Sequence, residues 1–156
     1  MRILIVEDEA EKYRRLSTFL LEHVRASECI QAASLNSGLR MLESSDMFDL
    51  LLLDMSLPSF DVGLGQSGGG DPQTFGGEEV MDILDAERVS IPTILFTGFD
   101  KFFEGTRTIK LTAIDESFKK KYDWYKGFVR YRHTNEAWRT DLLKLLKQVL
   151  ASGDVV

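Results

Sequence analysis

Short apolar runs without alternation punctuate this chain, and each stops abruptly at polar residues. Ile3-Leu4-Ile5-Val6 runs into Glu7-Asp8-Glu9, Leu50-Leu51-Leu52-Leu53 runs into Asp54, and Ile91-Pro92-Thr93-Ile94-Leu95-Phe96 runs into Thr97-Gly98. Continuous runs of this length read as strands buried on both faces, and the residues that follow them lie at the strands' carboxyl ends, where parallel sheets place their sites. The carboxylates gathered there point to a cation.

Between these runs the period changes to that of helices. Tyr13, Leu16, Leu20 and Val24 recur at helical spacing with Lys12, Arg14, Arg15 and Glu22 between them, and Asp8 or Glu9 can cap the start. Residues 29–33 form a weaker second strand, and Leu35, Leu39 and Leu42 give a second helix ending near Ser44 and Ser45. Phe48 to Leu53 forms the third strand, Val80, Ile83 and Leu84 mark a third helix, and the fourth strand carries Pro92 near its start. The run Phe128-Val129-Arg130-Tyr131 is a last strand, followed from Asn135 by a helix built on Trp138, Leu142, Leu145, Leu146 and Val149. Successive strand-helix units predict a parallel sheet covered on both faces.

Two segments interrupt the alternation. Residues 59–76 are glycine-rich, with Gly68-Gly69-Gly70 at their centre, and read as a long loop. A phosphate-cradling role is disfavoured there, because no Lys-Ser/Thr ending follows and no strand immediately precedes. Residues 100–126 are basic and aromatic, with a short strand candidate at Thr108 to Ile114 and an ambiguous period. That segment is open to a helix, a small hairpin or partial disorder.

Composition narrows the class. The 156 residues, 44% of them hydrophobic, suit one domain able to bury roughly two-thirds of its unfolded surface. The single Cys29 excludes an internal disulfide, acids interrupt the first apolar run before it could serve as a signal peptide, and no run approaches the roughly 20 residues of a membrane span. A cytoplasmic protein without membrane insertion is expected. The net charge of −6 divides unevenly: residues 1–100 hold 18 acids against 7 bases, and the remainder 7 acids against 12 bases. The basic run Lys119-Lys120-Lys121 precedes Tyr122, Trp124 and Tyr125, a pattern that suits a nucleic-acid surface but suits better a solvated face with aromatics packed beneath. A nucleic-acid partner is therefore disfavoured.

In this order and spacing, the strings covering residues 3–9, 49–58 (Asp49-Leu50-Leu51-Leu52-Leu53-Asp54-Met55-Ser56-Leu57-Pro58) and 91–98 resemble the signature blocks of CheY-like response-regulator receiver domains. Gly77-Glu78-Glu79-Val80 resembles that family's turn into the third helix. The resemblance implies an α/β fold, a flavodoxin-like three-layer sandwich with a parallel five-stranded sheet of order 2-1-3-4-5. It also implies a single receiver domain over residues 1–150 with a tail at 151–156. The loop after Pro58 is about 15 residues longer than the family's turn, and the stretch from Thr97 to the last strand about 10 longer, so 59–76 and 100–126 are read as insertions.

The family's chemistry then falls on particular residues. Asp54 matches the phosphoacceptor, a carboxylate nucleophile that forms an acyl phosphate. Glu7 and Asp8 match the acidic pair that holds Mg²⁺, with Asp54 and the Ser56 backbone carbonyl as further ligands. Thr97 matches the hydroxyl that reports the phosphoryl group. The family's lysine at the end of the last strand, usually followed by proline, has no Lys-Pro counterpart here. Counting back from the final helix gives Arg130, counting forward from Thr97 gives Lys119, and Lys126 is a further alternative. Arg130 is preferred, because the helix after Asn135 is the only credible last helix. Phe128 and Tyr131 are the rings nearest the family's aromatic switch position.

The resemblance thus implies a phosphoacceptor in two-component phosphorelay signal transduction, phosphorylated by a sensor histidine kinase or phosphotransfer protein. It would be read by a downstream protein through the face of the fourth and fifth strands, with homodimer formation open. Because the chain ends soon after Val149, a stand-alone switch without an effector domain is expected. The alternative is a phosphorylation-independent pseudo-receiver interaction module, favoured by the missing Lys-Pro and both insertions. An aspartate-nucleophile phosphatase is disfavoured: it needs a second acid two residues after the nucleophile, where this chain has Ser56.

Overall fold

In the computed structural model, which describes residues 1–25, 28–44, 47–61 and 75–153, a parallel sheet is flanked by helices on both faces. The elements run β1 (Arg2–Val6), α1 (Ala10–His23), β2 (Glu28–Ala32), α2 (Leu35–Glu43), β3 (Leu50–Leu53), α3 (Gly76–Ala86), β4 (Thr93–Thr97), β5 (Lys101–Glu104), β6 (Arg107–Lys110), α4 (Leu111–Lys121), β7 (Tyr125–Arg130) and α5 (Ala137–Ala151). The five-stranded sheet has the order β2-β1-β3-β4-β7, the 2-1-3-4-5 arrangement expected from the sequence.

Strand alternation sorts the apolar runs into two cores, because successive side chains point to opposite faces. Leu4, Val6, Leu51, Leu53 and Leu95 share one cluster with residues of α2, α3 and α4. Ile3, Ile5, Leu50, Leu52, Ile94 and Phe96 share the other with α1 and α5, around the fully buried Trp138. Since both faces are covered, every residue of β3 is buried, which removes any polar alternation. Each such side chain contributes roughly 1.5–3 kcal/mol.

Residues 100–126, expected as one insertion, resolve into three different things. Residues 101–110 form the antiparallel β5-β6 hairpin, a separate two-stranded sheet. The strand candidate at Thr108 to Ile114 ends at Lys110, and α4 begins at Leu111 with Leu111, Ile114 and Phe118 buried at helical spacing. This stretch belongs to the core, so only the hairpin is an addition to the strand-helix alternation. The aromatics after the lysine run are buried too: Tyr122, Trp124 and Tyr125 all enter the first cluster. Asp115 of α4 ties them down by accepting hydrogen bonds from the Tyr125 hydroxyl and the Lys119 ammonium, each at 2.8 Å.

The last strand starts three residues earlier than expected. Its register against β4 shifts between Thr93 and Ile94, so that Thr93 faces Tyr125 and Ile94 faces Gly127, with Lys126 in the irregularity. Gly127 adopts φ 132°, a backbone conformation that favours glycine, and a Cβ there would approach Leu145 Cδ2 to 3.3 Å. The polar-glycine pair hid this part of the strand. Most of the glycine-rich loop expected at 59–76 lies outside the described residues, and Gly76 already belongs to α3. Among the described residues no helix is long and apolar enough to cross a membrane.

Candidate functional site

Register places the acids. Val6 of β1 lies opposite Leu53 of β3, so Glu7 and Asp54, the next residue on each strand, emerge side by side. The Asp54 amide donates to the Val6 carbonyl at 3.1 Å, holding the two strand ends together. One carboxylate oxygen each of Glu7, Asp8 and Asp54 lies within 4.8 Å of the others. Glu7 and Asp54 are buried, at 2% and 5% exposure, whereas Asp8 is exposed at the mouth. The cluster forms one wall of an open cleft of about 710 Å³, whose lining also includes Ser56, Gly98 and Arg130.

Backbone groups orient the two buried acids. Asp54 Oδ1 accepts from the Met55 amide at 2.8 Å, and Glu7 Oε1 accepts from the Glu9 amide at 2.9 Å. The other oxygen of each turns to Lys12, which reaches in from the first turn of α1. Lys12 Nζ donates to Asp54 Oδ2 at 3.0 Å and forms an ion pair with Glu7 Oε2. Its ammonium is 5.5 Å from the Phe96 ring centre and 5.8 Å from that of Tyr131. Sequence reasoning missed Lys12 by treating it as a polar member of an amphipathic helix. The signal was present in its position: Lys12, Leu16 and Leu20 stand four apart, on the stripe of α1 that is buried.

Burial and the neighbouring Asp54 charge push the Glu7 carboxyl up to about 8, against the opposing pull of Lys12. Burial alone would lower the Lys12 ammonium, but Asp54 and Glu7 outweigh it and hold it above its usual range. Asp8 is raised as well, first by partial burial. The raised Glu7 value sets a linkage. Between about pH 4.5 and about 8 the folded, metal-free chain holds a proton that the unfolded chain has released. This contribution to stability is complete below the lower value and is lost as pH rises through the upper one. Urea midpoints in a chelating buffer are expected to fall across that window, and Glu7→Gln to flatten the fall; a wild-type profile that rises instead would contradict the raised value.

The other residues singled out in the sequence are distributed unevenly. Ser56 lines the cleft. Thr97 is fully buried, does not line the cleft, and its Oγ1 accepts from the Phe99 amide at 3.3 Å. Arg130 faces Thr97 in the β4-β7 register and borders the cleft, but its guanidinium pairs with Asp100. Lys126 lies at the opposite, amino-terminal end of β7, and Lys119 is bound to Asp115 on its own helix. Neither is brought to the acids. Tyr131 is buried, and its hydroxyl accepts from Arg15 at 2.9 Å; Phe128 packs against the first core cluster.

No family model matches the sequence. Among curated proteins the chain is similar to the Detocs response regulatory protein DtcB of Enterobacter cloacae, with 30% identity over 150 residues that span 96% of this chain and all of that protein. It is also similar to the uncharacterized protein y4jR of Sinorhizobium fredii, with 26% identity covering 90% of this chain and 93% of the other. Among solved structures, a CheY-like receiver domain protein from Methanospirillum hungatei superposes with a TM-score of 0.61 at 22% identity, over 97% of this chain and 94% of that one. TrrA of Thermotoga maritima, in complex with Mg²⁺-BeF, superposes with a TM-score of 0.55 at 18% identity, over 92% and 97%.

Proposed function

Because the chain belongs to the response regulator family and folds as a CheY-like receiver domain, we propose that Asp54 is the acceptor in a Mg²⁺-dependent phosphorylation that switches a partner-binding surface. The observation that carries this reading is the convergence of Glu7, Asp8 and Asp54 at the carboxyl ends of neighbouring strands, beside an open cleft. Three close carboxylates form a hard oxygen donor set, in which Glu7 Oε2 is buried and paired, among the described residues, with Lys12 alone. Such a set suits Mg²⁺, which takes few protein oxygens and keeps several waters. Glu7, Asp8, Asp54 and the Ser56 carbonyl would hold it. When bound, it would supply positive charge against the incoming phosphoryl oxygens.

The chain's own groups do the rest. The Met55 amide and Lys12 fix the Asp54 carboxylate, and the cleft admits a phosphohistidine or small phosphodonor from the open side. Phosphorylation adds up to about two negative charges and three acceptor oxygens. Thr97 would then turn its hydroxyl to donate to a phosphoryl oxygen, and Arg130, its neighbour across the β4-β7 register, would adjust with it while keeping Asp100. Both residues lie on β4 and β7, so the change spreads to the face those strands share. A sensor histidine kinase or phosphotransfer protein is the expected donor, in the cytoplasm, and the domain extends over residues 1–150. The chain modifies only itself and turns over no external substrate.

The β5-β6 hairpin, which follows β4 directly, is the expected partner-specific surface. Phe102 is buried while Phe103 on the other side of the strand is 65% exposed. Phe103→Ser is expected to change stability by no more than about 0.5 kcal/mol and to leave phosphoryl uptake intact. A much larger loss in a denaturation curve would show the ring to be structural.

A phosphorylation-independent interaction module is the second reading, favoured by one observation: Lys12 already neutralises part of the acid cluster while Thr97 is buried outside the cleft lining. Intact-mass measurement after incubation with acetyl phosphate and Mg²⁺ separates the two. An added phosphoryl mass supports the switch, and its absence at every Mg²⁺ and donor concentration favours the module.

A further inference from the structure

We infer that Lys12, reaching in from the first helix, is the cation that binds the phosphoryl group on Asp54, a role the sequence had assigned to the end of the last strand. The inference rests on the phosphoacceptor reading above. Lys12 is 3% exposed, and its ammonium touches both Asp54 and Glu7. Burying an ammonium is costly unless anions meet it, so a lysine on the stripe of Leu16 and Leu20 needs a reason beyond packing.

Among the described residues, Lys12 is the one basic side chain in ion-pair contact with Asp54. Arg130 is committed to Asp100 and would have to give up that ion pair to reach the phosphoryl group. Lys119 and Lys121 are bound to Asp115 and Asp82, respectively. In the transfer step an Asp54 carboxylate oxygen forms a bond to phosphorus while the bond from phosphorus to the donor oxygen breaks. With acetyl phosphate, acetate leaves with the bonding electrons, no proton moves, and total charge is unchanged. Negative charge at Asp54 grows from about one to about two as the phosphoryl group arrives. An ammonium already in contact there interacts more strongly with the product and the approach to it than with the starting carboxylate, which is the condition for lowering a barrier. Its unbranched stem lets Nζ slide from carboxylate to phosphoryl oxygen without moving α1.

The test compares the full-length wild type with Lys12→Met and Lys12→Arg. Removing the ammonium should slow labelling by acetyl phosphate by roughly 100-fold or more and weaken beryllofluoride binding similarly. Binding of Mg²⁺ alone, measured calorimetrically, should tighten in Lys12→Met, because a competing positive charge has gone. Lys12→Arg should recover part of the rate. A structural lysine would not produce this split between metal and phosphoryl affinity. Wild-type labelling with an unchanged rate in Lys12→Met overturns the role of Lys12 alone, whereas a wild type that accepts neither phosphoryl group nor beryllofluoride overturns the phosphoacceptor reading and this one with it. Should Lys12→Met fail to fold, ¹⁵N resonances of the wild-type lysine ammonium decide. A Lys12 signal that shifts on adding beryllofluoride to the Mg²⁺-loaded chain supports the contact, and an unmoved one refutes it.

Discussion

Asp54→Asn is expected to abolish labelling by acetyl phosphate completely while leaving the fold intact. Asparagine has the shape of aspartate, and its side-chain oxygen can still accept from the Met55 amide that now donates to Oδ1 at 2.8 Å. It lacks the charge and nucleophilicity needed to attack phosphorus. The loss should not be structural, because Glu7 Oε2 is left beside the Lys12 ammonium when the Asp54 charge is removed. Removing one carboxylate of three should also weaken Mg²⁺ by about tenfold or more, near 1.4 kcal/mol. Intact mass, beryllofluoride binding and a melting curve on the same sample check all three parts. A labelled Asp54→Asn protein would place the acceptor elsewhere and end the present reading.

Gly77→Ala should damage the fold itself, and through it the site. A Cβ at Gly77 would lie 2.5 Å from the Asp54 carbonyl oxygen and 2.9 Å from Met55 Cα. Both are backbone atoms of the turn that carries Asp54, so neither can rotate away. The Gly77 amide also donates to the Met55 carbonyl at 3.0 Å, which fixes the start of α3 against that turn. Relief requires moving α3 or the end of β3, at roughly 3 kcal/mol or more. For a chain of this size that lowers the melting temperature by about 6–12 °C. Gly76→Ala is the control: its nearest contacts, at 3.2 and 3.3 Å on Leu57, need only a small adjustment, so a smaller loss is expected. Equal melting temperatures for Gly77→Ala and wild type would show that α3 docks loosely.

Much of this architecture was legible in residue order. The runs in β1, β3 and β4 reveal themselves because a strand buried on both faces has no polar positions to interrupt it. The acids that end β1 and β3 needed only the placement of parallel-sheet sites at carboxyl ends. The helix α4 was not legible, because its apolar residues follow directly on the strand residues Thr108 and Ile109, and two periods overlap within a few positions. The first part of β7 was hidden by a register shift that a partner strand imposes.

The electrostatics of the site divide along the same line. By itself the sequence determined that three carboxylates and a threonine end neighbouring strands, since burial and strand direction are written into short local runs. Only the tertiary structure decided which cation meets them. Lys12 and Asp54 are 42 residues apart, and their 3.0 Å contact exists because α1 packs its Leu16 and Leu20 stripe on the face of the sheet where β1 and β3 end together. Charge pairing depends on distance in space, which no local period encodes. The same dependence drew Arg130 to Asp100 and left the first helix, instead of the last strand, to supply the ammonium beside Asp54.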